Sequence, residues 1–193
     1  MDRYHIALFI HLVALIVAAG ATAITKLAAG RRARARTVGE MLEWHDVLIS
    51  AARVFPLCLA TFVITGSYML SISQLDVWSS GFVVAGLAGI GLLLVSSVYL
   101  GVKGAALRRM LQAAAERGAE QPAPVLVPPT LVAVLPQVNS AIALAVAFDM
   151  VAKPASIGVA VGVVAGGVVL AAASVLLRPA RTPAAAFTAS TAG

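Results

Sequence analysis

Residues 4–25, with IALFIHLVALIVAAGATAIT at their centre, contain no charged side chain. A helix needs roughly 20 mostly apolar residues to cross the hydrocarbon core of a bilayer. Four further stretches of that length and character occupy residues 54–72, 81–102, 130–152 and 156–177. Residues 130–152 are the least apolar, because they include Pro136, Gln137, Asn139, Ser140 and Asp149. The composition agrees: 61% of residues are hydrophobic and 11% charged, against about 45–50% and about 25% in soluble domains. This excludes a water-soluble enzyme domain. It also excludes a disordered chain, which could not leave so much apolar surface solvated. The expected fold is all-α: a polytopic integral membrane helix bundle with five transmembrane helices. Residues 1–177 form this single bundle, and residues 178–193 (RPARTPAAAFTASTAG) form a disordered cytoplasmic tail.

The first stretch ends in Ala21-Thr22-Ala23, which looks like a signal-peptide cleavage site. It lacks a basic leader, since Asp2 and Arg3 cancel, and the basic cluster after it would resist export. It reads as a retained helix. The formal charge of +6 comes from a few loops. Lys26, Arg31, Arg32, Arg34, Arg36 and Arg53 lie between the first two spans; Lys103, Arg108, Arg109 and Arg117 follow the third; Arg178 and Arg181 follow the fifth. With the N-terminus outside and the C-terminus inside, all of these face the cytoplasm, and Arg3 and Lys153 remain outside. Removing the fourth span would put one basic region on the wrong side. RRARAR (31–36) has no interleaved aromatic residues for base stacking, so no nucleic-acid partner is expected. Its expected partners are membrane lipids, with Arg31, Arg32, Arg34 and Arg36 touching anionic headgroups.

Between the spans, EMLEWHDVLISAAR (40–53) reads as a helical lead-in with Trp44 and His45 near the interface. AALRRMLQAAAER (105–117) extends the third helix through good helix formers. The prolines of GAEQPAPVLVPP (118–129) then stop it. Cys58, the single cysteine, lies in an apolar run and reads as a small packed hydrophobe.

Ionisable groups inside spans are costly and so mark candidate sites. His11 lies about 10 Å along the first helix from Tyr4, on the stripe Tyr4, Leu8, His11, Leu15, Ala18, Thr22. It is either a ligand or proton carrier, or a neutral histidine bonded to a neighbouring helix. Asp149 and Lys153 have the spacing and direction of a helical ion pair, and Pro154 closes that helix. The stripe Asn139, Ile142, Val146, Asp149, Lys153 has the spacing of a packing seam. Two readings are open for these groups. One is an outward-facing polar pocket bounded by His11, Asn139, Asp149 and Lys153, with hydroxyls from Thr65 and Tyr68. The other is a structural pair holding the turn between the fourth and fifth spans.

Gly158, Gly162 and Gly166 form a stripe that allows close helix approach, within the bundle or in a homo-oligomer. Gly86, Gly89 and Gly91 read in the same way. Pro56 falls in the first turn of its span, where proline costs least.

Three short patterns carry a family resemblance. FIHLVALIVAAG (9–20) is similar to the first helix of small bacterial integral membrane proteins related to copper-resistance protein D. RVFPLCLATFVITGSYML (53–70) resembles their second helix, through Thr65, Gly66, Tyr68 and Leu70. MVAKP (150–154) looks like the close of a late helix in the uncharacterised predicted integral membrane protein branch of that group. The family's usual Trp before the first-helix glycine is replaced here by Ala18-Ala19-Gly20. The resemblance implies a multi-pass protein of the bacterial inner membrane, with His11 as a candidate axial ligand for haem. No nucleophile–base pair or metal-ligand cluster is visible, so no catalytic residues are expected. The expectation is a non-enzymatic membrane protein that handles a small solute, ion or proton, or assembles with others, through the pocket. The alternative is a haem- or copper-binding protein using His11.

Overall fold

The computed structural model describes residues 2–73, 80–119, 130–154 and 156–177. The expected tail and most of the proline-rich linker lie outside these residues. Every regular element among them is an α-helix: α1 Arg3–Arg32, α2 Val38–Ala52, α3 Val54–Ser73, α4 Gly81–Glu116, α5 Thr130–Ala152 and α6 Ile157–Leu176. Five candidate spans are long and apolar enough to cross a membrane, as expected. The lead-in is α2, a separate helix that runs almost directly into α3.

Local chemistry explains the ends of the helices. The Thr37 hydroxyl accepts from the Glu40 backbone N–H at 3.1 Å and starts α2, and the Glu40 carboxylate reaches back to the Arg36 N–H at 3.0 Å. At the end of α4, Gly118 takes φ +72. Its N–H donates to Ala115 at 3.0 Å and that of Ala119 to Ala114 at 3.1 Å, which is the Schellman closure that favours glycine. The end of α5 has no glycine. Lys153 adopts φ +46, and its N–H donates to the Asp149 carbonyl at 2.8 Å.

Packing divides the bundle into two parts. α1 packs on α2 and α3, α4 packs on α5 and α6, and α5 packs on α6. The parts meet chiefly where α2 packs on α4, around Val38, Met41, Leu111 and Ala114. α1 and α3 do not pack extensively on α4, α5 or α6. The buried positions of α1 are Ala7, Ala14, Ala21 and Ala28. The expected stripe lies along this seam in part: Leu8, His11, Ala18 and Thr22 are half-buried, Tyr4 and Leu15 are exposed, and alanines seven apart are the fully buried positions. Lipid gives no hydrophobic reward for burying a leucine, so close backbone approach over small residues decides the face.

Glycines act the same way between α4, α5 and α6. A Cβ at Gly89 would lie 2.5 Å from Val146 Cγ2, and one at Gly81 would lie 2.8 Å from the Ile157 backbone nitrogen. Gly86 and Gly167 also face neighbours, whereas Gly91, Gly162 and Gly166 have none within 4 Å. Gly158 meets only the Ser156 hydroxyl, at 3.6 Å. Among the described residues, no other helix packs on the Gly158–Gly162–Gly166 stripe. Cys58 is buried, as expected.

Candidate functional site

His11 sits two turns into the first span, where its ring meets Phe62 at 5.0 Å between centroids. Its Nδ1 lies 2.8 Å from the Thr65 hydroxyl oxygen. The single hydroxyl proton of Thr65 is already donated to the Thr61 carbonyl at 2.6 Å. Thr65 then accepts from His11 Nδ1–H, and in the neutral imidazole the lone pair lies on Nε2. Thr65 is buried and Tyr68 is exposed.

Asn139 belongs to the other part of the bundle, where its side-chain oxygen accepts from the Ser96 hydroxyl at 2.7 Å. On the same helix, Ile142, Ala145, Val146 and Asp149 are buried, which makes the expected seam real along most of its length. Val146 lies opposite Gly89 and Gly86 of α4, and Ala145 lies opposite Gly167 of α6. Asp149 is 0% exposed. Among the described residues, neither of its carboxylate oxygens has a hydrogen-bond partner.

The helical pair of Asp149 with Lys153 does not form. Pro154 forces the chain out of the helix, so Lys153 leaves α5 in the left-handed region and points to the exterior. The sole ion pair among the described residues is Arg108 with Asp46. Nor do His11 and Asp149 share one pocket, since α1 and α3 do not pack extensively on α5. His11 and Thr65 form one polar spot, Ser96 and Asn139 a second, and Asp149 a third.

A fourth polar centre lies at the opposite end of the bundle. His45 is 1% exposed. Its Nε2 lies 2.9 Å from the Gly104 carbonyl oxygen of α4, and its Nδ1 lies 2.7 Å from Arg32 Nη1 at the end of α1. A guanidinium can only donate and a carbonyl can only accept, so this imidazole is the neutral Nε2–H tautomer. Beside it, the Arg108 Nε donates to Asp46 at 2.6 Å, and the Arg31 guanidinium lies 5.8 Å from the centre of the Trp44 ring. The sequence alone puts His45 near the interface and does not show its burial. Its 3–4 spacing from Met41 and Val38 on the buried face of α2 was the available signal. Arg34 and Arg36 are exposed nearby.

No group of three or more His, Cys, Asp or Glu side chains able to hold a metal occurs among the described residues. If a haem were bound, His11 is the residue that would offer it a nitrogen, its ring being oriented by the Thr65 hydroxyl through Nδ1. Compared with protein-family models, curated proteins and solved structures, the chain matches none.

Proposed function

We propose that this chain is a bacterial inner-membrane protein, N-terminus outside and C-terminus inside, that handles protons or small cations at Asp149. One observation carries the reading: a fully enclosed carboxyl group inside a candidate span, with no donor on either oxygen among the described residues. A bare carboxylate so placed costs several kcal/mol. Its position in the last turn of α5 adds to the cost, because the helix dipole is negative there. A proton or a small cation removes both penalties. The group is three residues from the end of α5, about 4.5 Å along the axis, so its exchange path to the outer surface is short. The Arg and Lys content of the opposite end supports the orientation. The exposed Gly158–Gly162–Gly166 stripe is the surface on which a second copy would pack.

The test is ion flux into proteoliposomes carrying the purified protein and a pH-sensitive dye. An imposed gradient drives flux in wild type, and Asp149→Asn abolishes it while Lys153→Gln does not. Equal flux in the Asn variant and wild type would overturn the reading.

The Nε2 of His11, which has no hydrogen-bond partner among the described residues, favours a second reading, haem binding. A Soret band in the purified protein, lost in His11→Ala, is the expected result under that reading. Absence of the band from protein expressed with haem supplied removes it.

A further inference from the structure

We propose that Arg31 and Arg32, braced by Trp44 and His45, form a site for the phosphate of an anionic phospholipid headgroup. α1 has 30 residues, about 45 Å of helix, which matches the ~40–45 Å of a bilayer with its headgroup layers. With Arg3 at one face, the two arginines in the last turn of α1 lie at the headgroup level of the other. Each is held by one of two consecutive residues of α2. The Arg31 guanidinium lies over the Trp44 ring, and Arg32 donates to His45 Nδ1. Guanidinium groups fixed in this way lose less freedom when they take a ligand.

The charge balance identifies what the site lacks. Neither arginine has an ion-pair partner among the described residues, and Asp46 is already engaged by Arg108. The Glu40 carboxylate accepts from the Arg36 backbone. His45 positions Arg32 without neutralising it, because the neutral imidazole offers a lone pair and no negative charge. A carboxylate at that place would hold the side chain equally well and cancel it. Two positioned forks with uncompensated charge suit a phosphate oxyanion. A free phosphate has the same chemistry, but the depth of the site and the Trp44 ring beside it fit a lipid.

The experiment uses the full chain in detergent on a Trp78→Phe background, so that Trp44 is the fluorescent reporter. It is titrated with short-chain phosphatidylglycerol, phosphatidylcholine of the same length and inorganic phosphate. The expected result is phosphatidylglycerol binding about tenfold tighter than either competitor, since one charge-assisted fork is worth about that much. Arg31→Gln with Arg32→Gln loses that advantage, and Arg34→Gln with Arg36→Gln lowers affinity by less than about threefold, as expected for exposed charges that neither Trp44 nor His45 positions. Arg31→Lys guards against misfolding: it keeps the charge and the melting temperature, and weakens binding through loss of the fork alone. Three results overturn the site: equal loss in the Arg34/Arg36 variant, no preference over phosphatidylcholine, or inorganic phosphate binding as tightly as the lipid.

Discussion

Replacing His45 by Phe keeps a ring in the enclosed space between α1, α2 and α4 and removes both of its hydrogen bonds. The half-buried Arg32 then has no acceptor among the described residues, and the expected loss is about 1–3 kcal/mol, read from thermal unfolding in detergent. A melting temperature equal to wild type would mean that the junction does not depend on this imidazole. Lys153 offers the opposite case. A left-handed conformation costs an L-residue with a side chain about 1 kcal/mol or more, so Lys153→Gly stabilises by about that amount in the same assay. If Lys153 were instead the ionic partner of Asp149, the substitution would destabilise. His11 and Asp149 were legible in the sequence, because an ionisable residue in an apolar run stands out by itself. His45 was not: its partners come from two other helices, and no local pattern encodes their meeting.

The helices themselves were easier to read than their faces. Bilayer thickness sets the length of a span, and the charge-free runs display that length directly. Which side packs is decided by small residues, so Ala7, Ala14, Ala21 and Ala28 carry the α1 seam, while Leu15 and Ile16 remain exposed. A ranking by apolar bulk points the wrong way here. The glycines can be sorted only by what lies opposite them. Gly89→Val drives new atoms into Val146 and costs about 1–3 kcal/mol through overpacking. Gly162→Val enters open space and leaves the melting temperature of the monomer unchanged. Similar shifts in both variants would show that this sorting of the glycines is wrong.

At the scale of the molecule, α2 ties a part built from α1 and α3 to a part built from α4, α5 and α6. Its contacts bring Arg31, Arg32 and Arg108 to one end of the bundle, while Asp149 and the close approach of Gly81 to Ile157 lie at the other. The clustering of basic loops was legible as a topology signal. The two-part arrangement was not, because it depends on which helices pack and which do not. It also separates His11 from Asp149, which the sequence reading joins in one outward-facing pocket. The functional reading therefore rests on Asp149 alone. Infrared difference spectroscopy on reconstituted wild type and Asp149→Asn tests it most directly. The account predicts a pH- or cation-dependent carboxyl band in wild type that is missing from the variant. Identical difference spectra, with no band assignable to Asp149 under any proton or cation condition, would contradict it.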